Sequence, residues 1–126
     1  MGTLGQMLRD LAAREHAGGL VRLGQASLAL AGGGRIVLID PFLSPHPDRL
    51  VPPPITPDEL TMVDLVLETH EHWDHLDAAA CVGIARAAPQ ALFACPSRWY
   101  RSSLRQEYRK SACEACALGV RMSWPA

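Results

Sequence analysis

The stretch Thr69-His70-Glu71-His72-Trp73-Asp74-His75-Leu76-Asp77 places three of the chain's five histidines and two aspartates within nine residues. It directly follows an apolar segment that is typical of a buried strand. In an extended H-x-H, both imidazoles lie on the same side of the backbone and can bind one ion. Imidazole and carboxylate ligands together suit zinc, manganese or iron. The stretch therefore predicts a metal site at the end of a strand.

The residues after His72 are predicted to reach a second ion. A turn at this point would aim Asp74 and His75 at a position close to the first ion. Two such ions can share and activate a water, so Asp74 is also the predicted catalytic residue. The spacer residues Glu71 and Trp73 are expected to face outward or to pack. The predicted metal ligands are His70, His72, Asp74 and His75.

Two further aspartates are predicted to support these ligands from behind. Asp40 follows a strand and could accept a hydrogen bond from a ligand histidine, although it could also simply form a turn. Asp77 lies beside the ligands and can cap the helix that follows. His46, between two prolines, is expected at the surface, where a contact with substrate stays open. No substrate-binding residue is assigned.

Four segments carry a resemblance to a known family. H-x-H-x-D-H after a strand resembles the signature of the metallo-β-lactamase superfamily, metal-dependent hydrolases that share an αββα sandwich. Three other segments resemble parts of its ascorbate-6-phosphate lactonase-like branch: Leu23-Gly24-Gln25-Ala26-Ser27, Ile39-Asp40-Pro41-Phe42-Leu43-Ser44 and Pro52-Pro53-Pro54-Ile55. The resemblance covers about residues 21–96 of a partial domain that occupies 1–126, with 111–126 left as an unassigned tail. It implies an α/β fold, zinc or manganese as cofactor, and a small substrate such as a lactone or a sugar phosphate.

The later half of the superfamily's metal site has no counterpart in the chain. A complete site holds up to two ions and needs further histidines and a bridging aspartate, but after Asp77 only Glu107 and Glu114 offer carboxylates and no histidine occurs. Two interpretations stay open. The chain is either the first αβ half of a lactonase-like hydrolase, weakly active or inactive alone, or a non-catalytic partial domain that acts in structure or association.

Half of a sandwich would leave the inner face of its sheet uncovered. Such a patch exceeds what a monomer usually exposes, so self-association or a complementing half is expected. The residues expected to form it include Leu28, Leu30, Val37, Ile39 and Val66.

Composition narrows the other possible partners. The 126 residues are 48% hydrophobic and 20% charged, as in an ordinary globular domain. A net charge of -1 argues against nucleic-acid binding. No apolar run approaches the roughly 20 residues that cross a bilayer, and the N-terminal residues lack the apolar stretch of a signal peptide. We therefore expect a cytoplasmic protein with no membrane partner, in which Cys81, Cys95, Cys113 and Cys116 are unpaired thiols.

The pattern along the chain predicts alternating short elements. Gly32-Gly33-Gly34 marks a tight turn, and seven prolines within 41–57 exclude a helix or a central strand there. Helices are predicted over 4–14, 56–60, 78–88 and 96–110, and strands over 20–31, 35–40, 63–68 and 91–94.

Overall fold

Five strands form one mixed sheet, and two helices cover one of its faces. The computed structural model describes residues 3–70 and 72–94. Outside these residues lie the predicted helix over 96–110 and three of the four cysteines, Cys95, Cys113 and Cys116. The helices are α1 (Thr3–Ala12), α2 (Ala78–Ala87) and a short 3-10 helix (Pro57–Glu59). The strands are β1 (Gly18–Gly24), β2 (Ser27–Gly32), β3 (Arg35–Ile39), β4 (Leu65–Leu67) and β5 (Leu92–Ala94).

The order of the strands in the sheet follows their order in the chain. Strands β1, β2 and β3 pair antiparallel as a meander, whereas β3, β4 and β5 pair parallel. Because parallel strands end at the same edge, the residues that follow β3 and β4 meet there. This edge receives Asp40 from β3 and His70 from β4.

The core lies between the helices and one face of the sheet. Alternate strand residues such as Ala29, Leu38 and Val66 are fully buried on this face, as the two-residue period of a strand requires. Leu8 of α1 and Ile84 of α2 belong to the same buried cluster. Helix α2 also packs closely on the 3-10 helix. A Cβ at Gly83 would lie 2.6 Å from Pro57 Cβ, so this contact requires glycine.

The opposite face of the sheet is apolar and open among the described residues. Its central row is fixed by the strand register, which places one aliphatic side chain of each strand beside the next. Leu20 is 63% exposed, Leu30 41% and Leu92 46%. Leu65 and Leu67 point to the open face, so Val66 between them points to the helices. The prediction that Val66 belongs to this patch is therefore wrong. The row consists of Leu20, Leu30, Val37, Leu65 and Leu92.

Most predicted elements are confirmed with shorter ends. The described residues 41–56 contain neither helix nor strand, as the prolines predict, and 78–88 is helical up to Ala87. The prediction of a single strand over 20–31 is wrong. Gly24 and Gln25 adopt φ values of 107° and 50° and turn the chain, so two strands pair there instead. No helix in the described part of the chain combines the length and apolar character that a membrane span requires.

Candidate metal centre

The candidate site forms where β3 and β4 end side by side. Ile39 pairs with Leu67 in the parallel register, and the backbone N–H of Asp40 donates to the carbonyl oxygen of Leu67 at 2.9 Å. This bond continues the ladder by one residue. It brings the Asp40 carboxylate against the segment that begins with Thr69.

Asp40 is a buried residue that holds its neighbours in the site in place. Only 3% of the residue is exposed, and its φ of 46° lies in the left-handed region that aspartate tolerates better than most residues. Its carboxylate accepts three hydrogen bonds: from Thr69 N at 2.7 Å, from Thr69 Oγ1 at 2.6 Å and from His75 Nδ1 at 2.7 Å. The buried carboxylate is thus well solvated by protein donors, and it fixes the position of both neighbours.

The partner of each ring determines its tautomer. A carboxylate only accepts, so His75 carries its proton on Nδ1, and a neutral ring then keeps a lone pair on Nε2. Because the Thr69 hydroxyl donates its one proton to Asp40, its oxygen must accept a hydrogen bond from His70 Nδ1 at 2.9 Å. His70 Nε2 is therefore also a lone pair, and His72 Nδ1 lies 3.1 Å from it as a donor. One carboxylate thus sets the protonation pattern of three imidazoles.

A tight turn returns the chain after His72. The N–H groups of His75 and Leu76 both donate to the carbonyl oxygen of His72 at 2.9 Å. The turn brings the rings of His70 and His75 together with centroids 3.9 Å apart and planes tilted by 46°, while the centroids of His70 and His72 lie 4.6 Å apart. Asp74 Oδ2 lies 3.9 Å from His75 Nε2. The turn predicted after His72 is therefore confirmed.

Three groups already converge closely enough to hold one ion. Asp40, His70 and His75 each offer one ligand atom, and these atoms lie within 4.8 Å of one another. This set differs from the predicted ligand set, since it includes Asp40. His72 is exposed and reaches the set through its bond to His70, and Asp74 borders it through His75.

Asp77 forms its hydrogen bonds with the proline loop and the start of α2, away from the predicted histidine ligands. Its carboxylate accepts from the N–H of Ala80 at 3.0 Å, so its predicted capping of α2 is confirmed. It also accepts from Leu43 N, Ser44 N and Ser44 Oγ, at 3.0, 2.7 and 2.7 Å. Asp77 thereby ties the start of the proline loop to the helix that follows the metal stretch. Its hydrogen bonds within the described residues give it a structural role.

Glu68 is a buried carboxylate that the sequence reasoning missed. It is 6% exposed, and Cys81 Sγ donates to its Oε1 at 3.0 Å. Its Oε2 is buried and has no hydrogen-bond partner among the described residues. Burial, together with the nearby carboxylates of Asp40 and Asp77, raises the pKa of Glu68 to about 8, against the lowering effect of the Cys81 bond. An acidic residue at the end of an apolar strand was the available signal.

An aromatic cluster borders the metal stretch. Trp73, between His72 and Asp74, is 51% exposed, and the His46 ring stacks on it with centroids 3.9 Å apart and planes 12° apart. Buried Phe42 meets the Trp73 ring edge-on at 5.4 Å. The Arg49 guanidinium lies 4.4 Å from the Phe42 centroid. His46 thus packs on the metal stretch, and Trp73 packs although half of it stays exposed.

Comparisons with known proteins identify the family of this chain. The profile of the Beta-lactamase superfamily domain matches residues 35–121, more than half of the chain. A UPF0173 metal-dependent hydrolase of Aeropyrum pernix is 46% identical over 57 residues, which span 45% of this chain and 22% of that protein. A UPF0173 metal-dependent hydrolase of Pyrococcus horikoshii is 39% identical over 72 residues, which span 56% of this chain and 30% of that protein.

A comparison with solved structures supports the same fold. The isothiocyanate hydrolase from Delia radicum gut bacteria superimposes with a TM-score of 0.53 at 25% identity, over 85% of this chain and 40% of that one. The chain therefore belongs to the beta-lactamase superfamily, and its predicted partial metallo-β-lactamase-like α/β fold is confirmed. It spans about a fifth to a third of the length of the curated relatives it matches.

Proposed function

We propose that this chain is the metal-binding part of a cytoplasmic metal-dependent hydrolase with lactonase-like specificity. The observation that carries the proposal is the 2.7 Å bond between His75 Nδ1 and the Asp40 carboxylate. A carboxylate that holds one imidazole nitrogen leaves the other nitrogen for a cation, as metal-binding histidines commonly require. The hydrogen bonds of Thr69 orient His70 in the same way, and a cation would replace the bond that His70 Nε2 now accepts from His72 Nδ1.

The donor set fits a divalent cation. Imidazole nitrogens and a carboxylate suit zinc or manganese, and His70, His72, Asp74 and His75 would hold the ion or ions, with Asp40 supporting His75. When bound, a divalent cation lowers the pKa of a water and polarises the carbonyl or phosphoryl oxygen of the substrate. The relatives' printed description, metal-dependent hydrolase, supports the same class of chemistry.

The chain's own residues prepare the site. Asp40 and Thr69 fix the rings of His75 and His70, so a cation has to displace only the bond between His72 Nδ1 and His70 Nε2. Asp74 lies beside His75 Nε2 with a third of its side chain exposed, where its carboxylate can hold and orient a water. Lactones, and sugar phosphates as a second class, present the electrophilic centre that such a water would attack.

The open face of the sheet supports a partner. Its aliphatic row crosses all five strands, and an apolar face of this extent that residues 3–70 and 72–94 leave uncovered favours association. We propose that a complementing polypeptide, equivalent to the remainder of the relatives, covers this face and supplies the later metal ligands. Self-association through the same row is the alternative for the chain alone.

Complementation tests this proposal. The chain would be coexpressed with the part of the Pyrococcus horikoshii relative that follows the aligned segment, and hydrolysis of a simple lactone would be measured with zinc or manganese. We expect negligible turnover by the chain alone and measurable turnover by the complex. His72→Ala and Asp74→Ala should abolish it, whereas His16→Ala, at an exposed histidine outside the site, should not.

Leu30→Lys, on the open face, should prevent the complex from forming. Turnover that survives Asp74→Ala would contradict the proposed site. A stable complex that binds metal and hydrolyses neither lactones nor phosphate esters would contradict the proposed specificity.

A further inference from the structure

The aromatic cluster beside the metal stretch has no part in holding a cation. Trp73 is attached directly to His72 and Asp74, so its position is tied to theirs by the same turn. Half of its surface is exposed although its ring stacks on His46 and makes a T-shaped contact with Phe42. An exposed indole at this place is a contact surface for whatever approaches the site.

Hydrogen bonds hold Phe42 and His46 of the cluster in place. The N–H of Phe42 donates to buried Ser27 Oγ at 2.9 Å, and Arg49 Nη1 donates to the Phe42 carbonyl oxygen at 2.9 Å. His46 is held in turn, because its Nδ1 accepts from Asp48 N at 3.2 Å and its carbonyl oxygen accepts from Arg49 N at 3.0 Å. These bonds fix the two rings that Trp73 contacts, so the indole packs on an ordered surface, which lowers the conformational entropy lost on binding.

Charges of both signs border this surface. The Arg49 guanidinium lies over Phe42, whereas Asp48 Oδ2 lies 3.8 Å from His46 Nδ1 and Asp74 follows Trp73 in the chain. Because the nearby charges are of opposite sign, they favour neither a cation nor an anion, and a neutral planar group can stack on the indole face.

We propose that Trp73, braced by His46, binds a neutral planar apolar group of the substrate, such as an aryl substituent next to the acyl centre. This inference rests on the proposed function for the identity of the site, and it adds a substrate feature that the metal ligands cannot select. Trp73 is then a specificity-determining residue. His46 is a positioning residue that acts through it.

The test uses two neutral probes that differ in the planarity of one ring, benzamide and cyclohexanecarboxamide. The full chain, labelled with ¹⁵N, has three indole N–H groups, and Trp73→Phe identifies the signal of Trp73. Benzamide should shift this signal saturably and bind about two- to tenfold more tightly than cyclohexanecarboxamide. The Trp73 variants lack this signal, so affinities in all variants are read from the backbone amide signals of Asp74 and His75. Trp73→Ala should abolish this preference, Trp73→Phe should keep most of it, and His46→Ala should reduce it.

Leu20→Ala and Leu30→Ala control for binding to the open sheet face and should change nothing. Equal affinity for the two probes, an unshifted Trp73 signal, or a preference that survives Trp73→Ala would overturn the proposal. A parallel zinc titration separates the two claims. Probe binding at Trp73 without zinc binding would refute the metal site alone, and zinc binding without the probe preference would refute the aromatic surface alone.

Discussion

Two buried carboxylates stand at the ends of neighbouring strands, and their surroundings differ sharply. Asp40, after β3, is 3% exposed and accepts three hydrogen bonds. Glu68, after β4, is 6% exposed and accepts one from Cys81, while its second oxygen has no partner among the described residues. The two carboxylates are therefore about equally buried, but Asp40 accepts three hydrogen bonds and Glu68 accepts one.

The difference shows that donors, rather than burial, decide what a buried carboxylate does. Three donors satisfy the Asp40 carboxylate, which holds two neighbours in place. One weak thiol donor cannot offset the desolvation of Glu68, so the pKa of Glu68 rises to about 8. The first strand end positions ligands, and the second carries a pH-dependent cost to stability.

Removal of the Asp40 carboxylate should have the largest effect. Asp40→Ala leaves three donors without an acceptor and places alanine at a φ of 46°, which together should cost about 5 kcal/mol of unfolding free energy. Asp40→Asn should cost less, because it keeps one acceptor oxygen. Urea unfolding checks this, with Asp10→Ala at an exposed aspartate as control. A loss below about 1 kcal/mol for Asp40→Ala would show that the Asp40 carboxylate is dispensable for stability.

Glu68 should make stability fall as pH rises. Its pKa is about 8 in the folded chain against an ordinary 4.5, so the folded state binds more protons between these values. The contribution of neutral Glu68 is fully present below pH 4.5 and is lost as pH rises through 8, on the order of 4 kcal/mol. Glu68→Gln should remove this slope and be the more stable form at pH 8. Metal-free urea unfolding from pH 5 to 8 measures it, with exposed Glu15→Gln as control. Parallel pH curves for wild type and Glu68→Gln would contradict the comparison.

Thr69 should give the smallest effect. Its hydroxyl donates to Asp40 and accepts from His70, so Thr69→Val should cost about 1 kcal/mol and free His70 to change tautomer. Thr69→Ser keeps the hydroxyl and should keep the tautomer. Imidazole ¹⁵N chemical shifts report the tautomer directly. An unchanged His70 spectrum in Thr69→Val would mean that the relay does not set it.

Features fixed by neighbouring residues could be predicted from the sequence. The cap that Asp77 gives to α2, the turn after His72 and the irregular proline loop all depend on local patterns. The turn at Gly24 and Gln25 was missed, because the unbroken apolar pattern on either side of it is typical of one strand.

Features that depend on contacts between distant segments could not be predicted in the same way. The stack of His46 on Trp73 requires the proline loop to fold onto the metal stretch. The unpartnered oxygen of Glu68 depends on how α2 lies over the strand end. Asp40 was proposed as a support for the ligands, but its three donors and its own place in the converging set emerge only from the parallel pairing of β3 and β4.

Zinc binding by the full chain tests the central claim, that Asp40 orients His75 to bind a cation. Equilibrium dialysis at pH 7.5 would compare wild type, His75→Ala, Asp40→Asn and the exposed control His16→Ala. Loss of an orienting carboxylate typically weakens metal binding 10- to 100-fold, so Asp40→Asn should bind zinc that much more weakly, His75→Ala at least as weakly, and His16→Ala like wild type. Equal zinc affinity in wild type, Asp40→Asn and His75→Ala would contradict the account.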